Sequence, residues 1–153
     1  MNAKKLTTIV LIVFILASIT VLAVKQFSTK KATAADGVVE GTKIVAYYFH
    51  GTKRCPTCMK IEKYSHTAID SFFTQPLKDG RLEFITMNYD EPQNEHVWND
   101  YKLAAQSLVL VHYKDGVQQK WENLSQIWEL VGDEDQFYTY VKDGVDRFLK
   151  ELR

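Results

Sequence analysis

Apolar residues gather along the chain in segments whose spacing predicts their structure. Leu6 to Val24 carries no charge over about nineteen residues, close to the ~20 an α-helix needs to cross the hydrocarbon of a bilayer. It predicts a membrane span. The alternative is a cleavable signal peptide, whose apolar region is usually ~7–15 residues long. Ala32-Thr33-Ala34 has the small residues of a cleavage site, but it follows Lys25, Lys30 and Lys31, which suit such a site poorly. An uncleaved anchor over residues 1–24 is therefore the expectation. Lys25 to Thr42 is polar, contains Gly37 and Gly41, and predicts a flexible tether over residues 25–42. A short strand through Val38-Val39 is its alternative.

From Lys43 onward the pattern alternates between strand and helix periods. Ile44–Phe49 is apolar at every position, as a central strand covered on both faces should be. Pro56 to about Phe73 follows with Cys58, Ile61, Ser65, Ala68, Ile69 and Phe72 along one side and Lys60, Glu62 and Lys63 on the other. After a turn at Lys78-Asp79-Gly80, Leu82–Tyr89 reads as a second strand. Asp90-Glu91-Pro92 ends it and opens a helix through Val97 and Tyr101. Leu108–Tyr113 predicts a third strand, and Asp115-Gly116 a tight hairpin back through Val117–Trp121. Ser125 can cap a helical turn through Trp128. Asp133–Leu152 repeats Phe137, Val141, Val145, Phe148 and Leu152 at helical spacing, with acids first and Arg147, Lys150 and Arg153 last. Gly144 costs that helix about 1 kcal/mol relative to alanine. The resulting βαβαββα order predicts an α/β domain on a central mixed sheet over residues 43–153.

Composition narrows the function. With 153 residues, 19 Lys and Arg against 19 Asp and Glu, and a pI near 6.9, there is room for one well-packed domain. No basic cluster interleaved with aromatics marks a nucleic-acid site. The chain has two cysteines, Cys55 and Cys58. Both lie in one motif, so the fold must hold by packing rather than by disulfide staples.

That motif stands where the first strand becomes the first helix. With Cys55 at the N-cap, Pro56 falls at the first helical position, where its fixed φ fits and its missing N–H is no loss. Cys58 lies one turn on, on the same face, within the distance a disulfide spans. A Cys55 thiolate would face the positive end of the helix dipole and the cations Lys53 and Arg54. Cys55 is thus the expected attacking sulfur and Cys58 the resolving one, a redox-active pair that needs no other cofactor. An inert local disulfide and capture of a soft metal or trivalent arsenic by the two sulfurs are the competing readings. A structural zinc site is not expected, since Cys58 and His66 would stand about 12 Å apart along one helix. His50, at the strand end, can exchange protons with a thiol, or be a hydrogen-bonded histidine with no role. Met59 reads as packing, and Trp98, Trp121 and Trp128 as core and rim or as a docking surface. Asp90, Glu91, Glu95, Asp133, Glu134 and Asp135 read as turns and helix starts rather than a metal cage.

The element order, with Cys-Pro-Thr-Cys at the first strand-to-helix junction, resembles the thioredoxin superfamily from about Lys43 to Leu152. More narrowly, YYFHGTKRCPTC, SLVLV and WELVGDEDQFYTYV resemble the ArsF-type family, thioredoxin-like proteins named as subunits of nitrophenyl-compound nitroreductase systems. The resemblance implies thiol–disulfide exchange with a protein thiol or disulfide. It also implies a multi-span membrane thiol-electron carrier or permease as partner. The substrate groove would lie at Pro56, Thr57, Ser107 and Leu108. The chain departs from thioredoxin at Arg54, where tryptophan is usual, and at Phe49, where a buried aspartate assists proton transfer. It departs also before the third strand, where Ser107-Leu108 stands in place of a cis-proline. The short basic head Lys4-Lys5 is the signal-anchor arrangement, predicting the N-terminus inside a cytoplasmic or inner membrane and the domain outside it, in the periplasm of a two-membrane cell.

Overall fold

The computed structural model describes residues 41–152. The expected span at Leu6–Val24, the tether up to residue 40 and its alternative strand at Val38-Val39 lie outside the described residues. No helix among the described residues is long and apolar enough to cross a membrane.

The sheet is organised around β1 (Lys43–His50). The other strands are β2 (Leu82–Asn88), β3 (Ser107–Lys114) and β4 (Val117–Asn123), in the order β2-β1-β3-β4. β1 runs parallel to β2, from Ile44 opposite Leu82 to His50 opposite Asn88. It runs antiparallel to β3, from Lys43 opposite Tyr113 to Phe49 opposite Ser107, and β4 returns antiparallel on β3. The carbonyl of Gly41, just ahead of β1, accepts the Asp115 amide at 2.9 Å, which ties the start of the domain to the β3–β4 hairpin. In that hairpin Asp115 (φ 51°) and Gly116 (φ 78°) both take positive φ, the conformation that a two-residue connection needs and that these residue types tolerate.

Both faces of β1 are covered, as its unbroken apolar run predicts. Ile44, Ala46 and Tyr48 point into the core under α1 (Pro56–Phe72) and the last long helix, α5 (Glu134–Lys150). Val45, Tyr47 and Phe49 point the other way, against Val97, Tyr101 and Leu103. Phe49 stacks on Tyr101 with ring centroids 5.2 Å apart. On α5 the expected stripe of Phe137, Val141, Val145 and Phe148 is fully buried, and the Asp133 side chain caps the helix by accepting the Gln136 amide at 3.0 Å.

Four details differ from the expected pattern. Phe72 is 48 % exposed, and Phe73 takes its place in the core at 4 %. The chain leaves the helix at Phe73, whose amide donates to the Ile69 carbonyl at 3.0 Å, so the apolar seam passes from Ile69 to Phe73. A short helix, α2 (Thr74–Lys78), then follows before β2. The expected helix after Asp90 shrinks to α3 (Val97–Asp100). There Asn88 Oδ1 accepts the Asp90 amide, and the buried Asn94 side chain donates to the Asn88 carbonyl at 2.9 Å. Such side-chain bonds compete with the helical ones and hold a series of turns instead. Finally, the helical turn after β4, α4 (Ile127–Leu130), starts at Gln126 with no side-chain cap, so Ser125 does not serve as one.

Gly144 faces the core. A Cβ added there would lie 3.1 Å from both terminal methyls of Leu124, itself fully buried. The residue that weakens α5 as a helix former is what lets α5 lie close over the end of β4.

With β1 and β2 parallel, β3 and β4 antiparallel, and α1 and α5 on one face, the domain has the thioredoxin-like α/β fold on a mixed sheet.

Candidate redox-active site

Cys55 and Cys58 are joined in a disulfide, with Cα atoms 5.0 Å apart. Cys55 is the N-cap of α1 in extended conformation, Pro56 opens the helix, and the Cys58 amide donates to Cys55 Sγ at 3.0 Å. An orphan N–H of the first turn thus points at the sulfur that would carry negative charge, with no acidic side chain in that turn to oppose it. The two sulfurs are unequal in access. Cys55 is exposed, whereas Cys58 is 6 % exposed.

The loop ahead of Cys55 is pinned from below. The Thr52 amide donates to Asp90 Oδ2 at 2.7 Å, and Asn88 Nδ2 donates to the Thr52 hydroxyl at 3.1 Å. Any side chain at Gly51 would press on the Tyr89 hydroxyl, 3.0 Å from a Cβ built there. Asp90 thus helps to shape this loop.

The residues expected to tune the pair fall into separate roles. The guanidinium of Arg54 is paired with the Glu62 carboxylate on α1, so the charge beside Cys55 comes already partnered. Lys53 is exposed and contributes its carbonyl to the interior. His50 donates from Nδ1 to the Gly51 carbonyl at 2.9 Å, which leaves Nε2 as the acceptor nitrogen in the neutral ring. Pro56 and Thr57 are exposed beside Cys55. Ser107 and Leu108 are interior instead, 4 % and 0 % exposed, and the Ser107 hydroxyl donates to the Ala105 carbonyl. Phe49 is buried in the aromatic face of the sheet.

One residue that sequence patterning passes over stands at the centre. Gln106, just ahead of β3 and 6 % exposed, lies within hydrogen-bond distance of the Tyr48 hydroxyl, and its amide nitrogen donates to the Lys53 carbonyl at 3.2 Å. Its own carbonyl accepts from the Trp128 indole at 2.8 Å. Tyr48 in turn donates to the Cys58 carbonyl at 2.8 Å. Burial pushes the Tyr48 phenol well above its ordinary pKa, so it stays a protonated donor. Trp128 is thereby a partner of the site's framework. The only advance sign of Gln106 is a long polar side chain abutting the apolar run SLVLV.

Next to the pair, a groove of about 610 Å³ between α1 and β2 is lined by Arg54, Met59, His66 and Phe84 among others. Met59 is 52 % exposed there rather than packed away. Among the described residues no cluster of three or more His, Cys, Asp or Glu side chains is placed to hold a metal ion. An exposed sulfur bonded to a buried one, at the positive mouth of a helix, can be attacked by an external thiolate, or after reduction can attack an external disulfide.

No protein-family model matches the chain, and no curated protein matches it either. Among solved structures it is similar to oxidised thioredoxin O2 from Arabidopsis thaliana, at 17 % identity over 74 % of this chain and 88 % of that one, with a TM-score of 0.38. It is similar also to a thioredoxin from Malassezia sympodialis, at 20 % identity over 66 % of this chain and 80 % of that one, TM-score 0.39. A third is oxidised mitochondrial thioredoxin 3 from Saccharomyces cerevisiae, at 13 % identity over 69 % and 81 %, TM-score 0.38. The thioredoxin-like fold of this chain rests on its own strand order and on the cysteine pair at the amino end of α1.

Proposed function

We infer that the protein is a thiol–disulfide oxidoreductase. The observation that carries this reading is the unequal exposure of two bonded sulfurs at a helix N-terminus, Cys55 open to a partner and Cys58 covered. In the reducing direction Cys55 attacks a partner disulfide as the thiolate and forms a mixed disulfide. Cys58, a turn away, then attacks Cys55, closes the internal bond and releases the partner as a dithiol. Two electrons leave the chain in each cycle, so an external dithiol, or two thiols, must restore them.

Membrane attachment and the electron source belong to the same proposal. The uncharged run Leu6–Val24 supports a single-pass anchor, with the catalytic domain on the extracytoplasmic side. An oxidising compartment would demand that electrons arrive across the bilayer. A multi-span thiol-electron carrier fits that need and agrees with the ArsF-type resemblance of the motifs around Cys55, SLVLV and Asp133.

Titration of the full chain in glutathione buffers, followed by exposure to zinc, copper(I) and arsenite, tests the chemistry. Reversible two-electron oxidation with weak metal retention is the expected result. A pair that resists glutathione but holds one of those ions tightly would identify a soft-metal or arsenite binding module instead.

A further inference from the structure

Under the first turn of α1 the single proton of the Tyr48 hydroxyl faces two acceptors. The Tyr48 hydroxyl lies 2.8 Å from the Cys58 carbonyl and 3.3 Å from Gln106 Oε1. A phenol has one proton, and the shorter contact takes most of it. Turning the Gln106 amide over does not solve this, because Oε1 would then face the Lys53 carbonyl, where Nε2 now donates at 3.2 Å. Gln106 Oε1 therefore shares its one donor, the Tyr48 hydroxyl, with the nearer Cys58 carbonyl, on a residue only 6 % exposed.

Gln106 also lies across the whole motif. One end of its amide holds the backbone two residues before Cys55, and the other meets the hydroxyl that holds the backbone of Cys58. In the disulfide, Cys58 has no proton to give. Reduction by two molecules of glutathione breaks the Cys55–Cys58 bond, yields one molecule of oxidised glutathione, and leaves an S–H on each cysteine. At Cys58 that new donor forms where solvent barely reaches, and an unmet donor there would cost stability.

We propose that Gln106 is the positioning residue of this dithiol, and that its Oε1 accepts the hydrogen bond of the Cys58 S–H that reduction creates, so that the cluster favours the reduced form. The proposal rests on the redox reading of the pair. It assigns to a glutamine ahead of β3 a task that periodicity would give to packing alone.

The test is the equilibrium constant of the full chain in glutathione buffers, with thermal melts of both redox forms, for wild type, Gln106→Leu and Tyr48→Phe. Gln106→Leu is expected to shift the equilibrium about tenfold toward the disulfide, about 30 mV more negative, and to lower the melting midpoint of the reduced form more than that of the oxidised form. Tyr48→Phe removes the competing proton, and is expected to shift the equilibrium toward the dithiol. It also keeps the proposal testable if the Gln106 variant does not fold. Constants unchanged in the variants that fold, or equal loss of stability in both redox forms, overturn the proposal and leave Gln106 a structural residue. Absence of exchange with glutathione in the unaltered chain would instead overturn the oxidoreductase reading itself.

Discussion

The Arg54 guanidinium is paired with the Glu62 carboxylate across the first turns of α1, immediately beside the exposed sulfur of Cys55. A cation so placed would favour the Cys55 thiolate, and a carboxylate held against it cancels part of that field. Glu62→Gln is therefore expected to raise the rate of Cys55 alkylation in the reduced protein severalfold near neutral pH, with the gain shrinking in high salt. Stopped-flow alkylation across a pH series would show it. A rate unchanged by the substitution would mean that the helix mouth and the Cys58 amide set the thiolate alone.

The two cysteines should fail in different ways. Cys58→Ser leaves the exposed nucleophile and removes the resolving sulfur, so it is expected to accumulate a mixed disulfide with a protein substrate, visible by non-reducing electrophoresis and mass spectrometry. Cys55→Ser leaves only a covered thiol and is expected to accumulate none. Equal trapping by both variants would contradict the assignment of roles.

Gly144→Ala sets two effects against each other. Alanine gains about 1 kcal/mol of helix propensity, but its methyl would stand 3.1 Å from both terminal methyls of a fully buried Leu124, with Leu110 behind at 3.5 Å. Overpacking of this kind costs about 1–3 kcal/mol. The net expectation is destabilisation by about 1 kcal/mol in urea unfolding, and the companion Leu124→Val should recover part of it. A simple gain in stability would show that the Leu124 side chain can move aside.

At the other end of α5 the Asp133 carboxylate accepts the Gln136 amide, and that bond holds its pKa below the usual carboxylate range. A group depressed on folding contributes stability above its unfolded pKa and loses it as pH falls through the folded one. Asp133→Ala should therefore melt a few degrees lower at neutral pH. The gap to wild type should begin to close as pH falls through about 4. A gap constant down to strong acid would mean that the loss is one of helix geometry, not of the charged cap.

Apolar spacing carried the strand and helix order, because each element buries a regular face and the period of that face is local. It likewise put Cys55 at the mouth of α1, since Pro56 and the end of the apolar run Ile44–Phe49 lie next to it in the chain. The features it missed join residues far apart in sequence. Gln106 meets Tyr48 and Lys53, more than fifty positions away, and nothing in the period of SLVLV marks the residue ahead of it. Ser107 and Leu108 were expected at the groove from the resemblance to thioredoxins, which have a cis-proline there; the third strand begins one residue earlier than the apolar run suggests, and both residues are buried. The helix expected after Asp90 gave way to side-chain bonds from Asn88 and Asn94, which compete with a helix whenever a neighbouring loop needs the same backbone.

The direction of β1 separates the two ends of the domain. Its rise places His50 about 23 Å from Lys43, and Gly41 is fastened to the hairpin at the remote end. The start of the described chain and the reactive sulfur of Cys55 thus stand at opposite ends of β1, with the length of the central strand between them.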